Sequence, residues 1–197
     1  MQHTKEEIRN RILEAAEIEF DENGYAGASM RKIVSRSGTS LGNLYRYFAN
    51  KEELFLSIVE PVLEECIRQT GVLFDGNFHE VETAVEPVVD FVATHSRVFR
   101  MMENGPAEHY NVFLDRLTCR VSQSLEHYVR EHCPEAVEKI HNPAFFHAVG
   151  QGIVGVLRLT LEHYENRERT ALYLRELLRF QFGFFRQRLE AMEDQPS

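Results

Sequence analysis

Residues 29–48 read SMRKIVSRSGTSLGNLYRYF, and this stretch decides how the N-terminal part of the chain folds. Ser29, and either Thr39 or Ser40, can cap the start of a helix through a side-chain oxygen. Gly38 lies between the two segments, where glycine permits the positive φ that lets a chain reverse sharply. The pattern predicts two short helices, 29–37 and 40–48, joined by a tight turn.

Two short helices joined in this way form a helix-turn-helix, whose second helix enters the major groove of DNA. Leu44 and Phe48 are four residues apart and are predicted to face the core of a three-helix module. The other faces of the second helix carry side chains that can bond base edges, or glycine for close approach. These residues are Ser40, Gly42, Asn43, Arg46 and Tyr47.

Phosphate contacts are expected beside these base-reading residues. Tyr45 and Tyr47 offer hydroxyl groups to phosphate oxygens while their rings pack against the module. Lys51 falls in the first turn of the next helix, where backbone N–H groups also favour a phosphate. The alternative for each residue taken singly is a half-buried tyrosine or an exposed lysine.

Charge is unevenly distributed along the chain. The 22 Lys and Arg against 31 Asp and Glu give a net charge of −9. Residues 1–55 hold eight of the basic and nine of the acidic residues, so nearly the whole excess of acid lies beyond residue 55. Residues 28–51 hold five basic residues and no acid. An isolated basic segment in an acidic chain is typical of a nucleic-acid contact, although a solvated helix face looks similar.

The remaining sequence predicts helices throughout, because no stretch alternates strictly at period two. Thr4 and Glu7 form a capping box that opens the first helix, and Gly24 stops it. Asn50 caps a fourth helix that runs to about Phe74. Five further helices are expected at about 78–94, 97–103, 106–133, 143–164 and 168–192. The fold class is therefore all-α with about nine helices.

Several broad classes of protein fit the sequence poorly. The chain starts without an apolar run, and its longest apolar stretch, 149–161, is too short and too interrupted to span a bilayer. The three cysteines are widely spaced, as in a cytoplasmic protein with reduced thiols. No metal signature, cofactor motif or paired-carboxylate motif is present, so neither a metal site nor an enzyme is expected.

The segment GTSLGNLYRYFANKEEL, residues 38–54, resembles the recognition-helix signature of the TetR/AcrR family of bacterial transcriptional regulators. Upstream, 12–16, Phe20, 24–25 and 29–33 are similar to the rest of that family's N-terminal domain. The resemblance implies a homodimer, usually a repressor, that leaves its operator when a small molecule binds the larger domain. It divides the chain into a DNA-binding domain, 1–55, and a ligand-binding and dimerisation domain, 56–197.

Carried over by position, the resemblance implies a set of DNA contacts. Ser29 contacts phosphate from the helix cap, and Arg31 adds a cation beside it. The groove-facing residues are Thr39, Ser40, Leu41, Gly42, Asn43 and Arg46, and the backbone is held by Tyr45, Tyr47 and Lys51. Leu41 stands where the family often has Lys, and Thr39 where Val is frequent. The missing Lys removes one base or phosphate contact, so operator preference does not transfer. Lys32, which stands where an acid is common, is expected to compensate in part.

A dimer through the last two helices is expected, because two recognition helices must lie about 34 Å apart to read successive turns of DNA. The final helix carries an apolar stripe, and the preceding helix carries small residues that allow close approach. The stripe consists of Leu174, Leu178, Phe185 and Met192, with Leu177 and Phe184 beside it; the small residues are Ala148, Gly152 and Gly155. The alternative is that both helices are simply core.

The ligand is predicted only by class. The larger domain is rich in Phe, Leu and Val, so a small hydrophobic ligand is expected between the fifth to eighth helices. His147 and Gln151, four apart on one helix, are the candidate polar groups. Arg97 and Arg100 could bind an anionic group, or pair with acids. Two other readings stay open: a helical enzyme or carrier, and a DNA-binding regulator controlled by a protein partner.

Overall fold

The computed structural model describes residues 4–75, 81–162, 166–182 and 185–191, and within these ranges it contains ten α-helices and no strand. In chain order they are α1 Lys5–Gly27, α2 Met30–Ser37, α3 Leu41–Tyr47, α4 Lys51–Asp75, α5 Val81–Glu103, α6 Ala107–His132, α7 Pro134–Lys139, α8 Phe145–Glu162, α9 Arg167–Phe182 and α10 Phe185–Glu190. The predicted all-α class is confirmed.

The first four helices begin and end where local chemistry requires. Thr4 and Glu7 form the predicted capping box, with Thr4 N–H donating to the Glu7 carboxylate at 2.8 Å. Asn50 caps α4 by accepting from Glu53 N–H at 2.8 Å. Gly24, with φ 65° and ψ 169°, interrupts α1 as predicted, but a further turn follows it as far as Gly27.

Three later boundaries differ from the prediction. The helices expected at 78–94 and 97–103 form one helix, α5, which departs from helical backbone only at His95. The helix expected at 106–133 ends at His132, and Pro134 then begins the short helix α7, which was not expected, because proline suits the first helical position. The last predicted helix is described as α9 and α10, and residues 183 and 184 between them lie outside the described ranges, as does the start expected at 78.

The chain divides into two compact units. The first contains residues 1–65 and 95–111, and the second contains 66–94 and 112–197. In the first unit, the rings of Phe20, Tyr25 and Phe55 pack with centroids 5.2–5.9 Å apart. Leu44 and Phe48 are both buried, as predicted from their spacing.

The end of α5 belongs to the first unit and is tied to α1 by ion pairs. Arg97 lies 3.2 Å from Glu17, and Arg100 lies 3.1 Å from Asp21. These pairs match the acid-pairing alternative for the two arginines rather than an anion site. Both arginines are about half exposed, so each pair contributes little to stability by itself.

Two apolar clusters lie among the described residues of the second unit. One is built on α6 and α7, with Leu125, Val129 and Ala136 at its centre, and includes Leu189 from α10. The other joins Val85 and Val89 of α5 to Ala171 and Leu174 of α9. Within the ranges given above, no helix combines the length and the apolar character that crossing a membrane requires.

Candidate nucleic-acid interface

The turn between α2 and α3 depends on glycine at position 38. Gly38 has φ 64° and ψ 29°, the left-handed region in which a side chain is strained. A Cβ at this position would also lie only 2.8 Å from the guanidinium of Arg11. That guanidinium donates to the carbonyl of Ser37, so α1 holds the end of α2 while the chain reverses.

The start of α3 is capped as predicted. The Ser40 hydroxyl accepts from Asn43 N–H at 3.1 Å, and the Asn43 side-chain amide donates to the Thr39 hydroxyl at 2.9 Å. These bonds arrange three of the predicted groove-facing residues on one turn. A Cβ on Gly42 would meet nothing within 4 Å, so this part of α3 is open to a close approach.

The two sides of α3 differ in exposure. Leu44 is 0% exposed and anchors the helix to the core. The opposite side is exposed at Leu41, Gly42, Tyr45 and Arg46, while Asn43 and Tyr47 are partly buried. The predicted groove residues of α3 are thus brought together on a free surface, which is what insertion into a major groove requires.

The basic residues of this region fall into two groups. Arg31 and Arg46 are exposed and make no ion pair among the described residues. Arg36 instead bonds Glu22 at 2.8 Å, which lowers the pKa of the Glu22 carboxyl and raises the pKa of Arg36. The charge of Arg36 is therefore used within the domain, while those of Arg31 and Arg46 remain available to a partner.

Lys51 also belongs to the group used within the domain. Its ammonium donates to the carbonyl oxygens of Tyr25 at 2.7 Å, Ala26 at 3.3 Å and Ala28 at 3.4 Å. It lies 4.6 Å from the centroid of the Tyr25 ring as well. The sequence predicted a phosphate contact here, but the side chain is directed at the end of α1, whose last carbonyls need a donor.

Sequence reasoning missed Glu19, which is 0% exposed. Its Oε1 accepts from Ser29 N–H at 3.2 Å and lies 3.8 Å from Lys32 Nζ. Ser29 begins α2 as predicted, but its side chain makes no capping hydrogen bond. The helical spacing of the apolar residues in α1 could have revealed the burial of Glu19, because position 19 shares the buried face with Ala15, Ala16 and Phe20.

The two candidate ligand residues do not face the interior. His147 and Gln151 are both exposed on α8. Their four-residue spacing put them on one face as predicted, but that face points away from the core of the unit. An interior pocket therefore has to be lined by other residues. Among the described residues, no group of three His, Cys, Asp or Glu is placed to hold a metal ion.

The apolar stripe predicted on the last helix is partly internal. Leu174 is 1% exposed and packs against Val85 and Val89, and Leu178 packs on the same cluster. The side chains of Phe184, Phe185 and Met192 lie outside what the structure describes. Among the described residues of these two helices, the large exposed apolar side chains are Leu159 (48%) on α8 and Leu172 (47%), Tyr173 (40%), Leu177 (41%) and Phe180 (90%) on α9.

A capped three-helix module with a glycine turn and an exposed basic helix defines the class of helix-turn-helix proteins. Residues 12–58 match the family model described as bacterial regulatory proteins, tetR family. The chain therefore carries the N-terminal domain of the tetR family, and the resemblance found in its sequence is confirmed.

Curated relatives match over part of the chain. The transcriptional repressor AcnR of Corynebacterium diphtheriae is 30% identical over 125 residues, which cover 59% of this chain and 64% of AcnR. The transcriptional activator FasR of Mycolicibacterium smegmatis is 31% identical over 101 residues, covering 50% of this chain and 46% of FasR. The chain thus spans from under half to about two thirds of the length of these two relatives.

Solved structures match over nearly the whole chain. The regulator FadR of Bacillus subtilis, in complex with stearoyl-CoA, aligns with a TM-score of 0.65 at 16% identity. The alignment covers 87% of this chain and 96% of FadR. At this identity the match concerns the fold, which is that of an N-terminal helix-turn-helix followed by a larger helical domain.

Proposed function

We propose that this protein is a ligand-responsive, DNA-binding transcriptional regulator that represses from an operator and is not an enzyme. The main support for this proposal is the exposed side of α3, where Arg46 and Tyr45 lie on the same helix as Gly42, which has open space around it. Acidic residues are absent from 28–51, so nothing in this segment repels a phosphate backbone. Residues 1–55 would bind DNA, and residues 56–197 would bind ligand and dimerise.

Arg46 is the residue best suited to read a base. Its guanidinium is exposed, uncommitted among the described residues, and lies on the same helix as the exposed Gly42. An arginine in the major groove bonds guanine through two parallel hydrogen bonds. Arg31 lies on α2 instead, where a cation suits the sequence-independent phosphate contacts that set the register.

A homodimer through α8 and α9 supplies the second half-site. Tyr173, Leu177 and Phe180 follow a spacing of four and three residues, which puts them on one side of α9. On α8, Gly155 has open space where a Cβ would stand, and Leu159 on the same face is exposed. A largely apolar face of this kind is costly in water and suits a symmetric contact with a second copy.

A small hydrophobic molecule is the proposed effector. The described core of the second unit is lined by Val, Leu and Phe side chains, which suits an acyl or aromatic body. FadR, which shares the fold, is described in complex with stearoyl-CoA. For such a molecule to release DNA, its affinity must be higher for the protein conformation that cannot bind DNA than for the conformation that can. Helix α4, which leads from the first unit into the second, is the proposed lever.

The test is to incubate the tagged protein with sheared genomic DNA of its source and to sequence the fragments it retains. We expect enrichment of a short inverted repeat near promoters, including the region upstream of the protein's own gene. A reporter placed behind that repeat should be silenced by the protein. Retention of DNA without any shared sequence, or activation of the reporter, would contradict a specific repressor.

Mass spectrometry of small molecules released from the purified protein separates ligand control from control by a protein partner. We expect a hydrophobic compound at close to one per subunit or one per dimer. Adding that compound to the protein–DNA complex should release the DNA. A compound that binds the free protein and the DNA complex equally tightly would contradict the coupling.

A further inference from the structure

Glu19 is an unusual residue for the place it occupies. It lies on the buried side of α1 together with Ala16 and Phe20, and it is 0% exposed. One carboxylate oxygen accepts a single hydrogen bond, and the other has no hydrogen-bond partner among the described residues. A buried carboxylate with so little compensation is normally less favourable for stability than an apolar side chain of similar size. Its contribution therefore has to be sought outside stability.

The geometry around Glu19 is that of a capping box assembled from two helices. In a capping box, an acid at the third helical position accepts from the N–H of the cap residue. Helix α1 is built in this way, since Thr4 N–H donates to Glu7. In α2 the cap is Ser29 and the third helical residue is Lys32, which cannot accept. Glu19 of α1 takes that role by accepting from Ser29 N–H at 3.2 Å.

Moving the acid into α1 changes what the first turn of α2 presents to its surroundings. The first turn of α2 carries no acid, and both Arg31 and Lys32 are exposed. The negative charge is buried behind them, with Oε1 of Glu19 3.8 Å from the ammonium of Lys32. The Ser29 hydroxyl makes no capping bond and stays available. All three groups suit a phosphate at this end of α2.

We propose that Glu19 is a positioning residue for DNA binding. By holding the backbone N–H of Ser29, it sets the start of α2 so that the Ser29 hydroxyl, with Arg31 and Lys32, meets a DNA phosphate. The proposal deepens the function proposed above and rests on it. Glu19 thereby contributes to the affinity for DNA, although its side chain is buried and cannot touch DNA.

Two conservative variants separate the hydrogen bond from the charge. Glu19→Gln keeps an oxygen that can accept from Ser29 N–H and removes the charge. Glu19→Asp keeps the charge but shortens the side chain by one methylene group, which moves the accepting carboxylate away from Ser29 N–H. With the duplex recovered from the genomic selection as the probe, we expect Glu19→Gln to bind within about twofold of the wild type. Glu19→Asp should bind about fivefold to tenfold more weakly, the size of one lost hydrogen bond.

Coupling to Ser29 tests whether the effect passes through that residue. Ser29→Ala should weaken binding by a similar factor, and adding Glu19→Asp to it should cause little further loss. Equal binding by the wild type and Glu19→Asp would overturn the proposal. So would a full additional loss in the double variant, or a greater loss from Glu19→Gln than from Glu19→Asp.

Folding of each variant is followed by thermal unfolding, and Glu19→Leu is included in case Glu19→Asp does not fold. The leucine variant should unfold at the same or a higher temperature than the wild type, yet bind the duplex as weakly as Ser29→Ala. Wild-type affinity of folded Glu19→Leu would refute the positioning role. If the wild type binds no duplex, the proposed function itself fails, and this is seen before any variant is made.

Discussion

The side of α3 that faces away from the core and the outward side of α8 and α9 are both exposed, but their chemistry is opposite. The first presents cations and hydroxyls, including Arg46 and Tyr45, in a segment without acids. The second presents large apolar side chains, of which Phe180 is 90% exposed. A charged surface is stable in water and attracts a polyanion, whereas an apolar one is stabilised by being covered. This difference supports the proposal that DNA covers the first surface and a second copy of the chain covers the second.

The largest expected effect is on the apolar surface. Leu177→Glu should yield monomers, because a dimer would have to bury two unpaired carboxylates at a cost of several kcal/mol. Sedimentation velocity measures the change, and binding to DNA should fall with it because each monomer holds one half-site. Leu172→Glu is the matched control, since Leu172 is also exposed on α9 but lies about 140° from Leu177 around the helix axis. Dimers of Leu177→Glu would remove this surface from the interface.

The next effect is on base reading by α3. Arg46→Ala should cost about 1–3 kcal/mol per half-site on the preferred duplex and reduce the preference for it over other sequences. Competition between the preferred duplex and single-base variants measures both changes. Arg36→Ala is the control, since its charge is already paired with Glu22, and it should change DNA affinity much less. Equal losses on preferred and random DNA would mean that Arg46 contacts the backbone only.

A third effect separates two basic residues of the same domain. Lys51→Ala should lower the free energy of unfolding by about 1–3 kcal/mol, because its ammonium bonds carbonyls at the end of α1. Arg31→Ala should leave stability unchanged and make the slope of log affinity against log salt shallower by about one unit. Thermal unfolding and salt titration are measured on both variants. The sequence predicts a phosphate contact for Lys51, and a shallower salt slope in Lys51→Ala would show that Lys51 makes it.

The smallest effect is the pH dependence of the Glu22–Arg36 pair. The pKa of Glu22 lies below its ordinary value of 4.5 in the folded protein, chiefly because of the hydrogen bond from Arg36. A lowered folded pKa contributes stability above about pH 4.5, and this is lost as the pH falls through the folded value. Thermal unfolding of Glu22→Gln should therefore differ slightly from the wild type at neutral pH and converge with it in acid. A difference in unfolding temperature that grows in acid would contradict a lowered pKa of Glu22 in the folded protein.

Local signals explain how much of the first domain was predictable. The capping of α1 by Thr4, of α3 by Ser40 and of α4 by Asn50 depends on residues three positions apart in sequence. The left-handed backbone of the turn depends on Gly38, whose φ is 64°. Each of these features follows from short-range chemistry, so the helix-turn-helix could be placed to within a residue or two.

Contacts between distant residues explain what the sequence missed. Glu19 reaches Ser29 ten positions away, and Lys51 reaches Tyr25 across 26 positions. An acid or a lysine in a helical sequence is normally solvated, and only the packing of α1 against its neighbours directs these two inward. The same limit applies to α9, where Leu174 and Leu177 are equally apolar but only the first is covered by its own unit.

The proposed function requires that the protein bind double-stranded DNA through the acid-free, basic surface of α2 and α3. Fluorescence anisotropy with the duplex from upstream of its own gene, titrated between about 50 and 200 mM salt, tests it most directly. We expect log affinity to fall linearly with log salt, and the native duplex to be bound more tightly than a scrambled one throughout. No binding at the lowest salt, or affinity that does not change with salt, would contradict it.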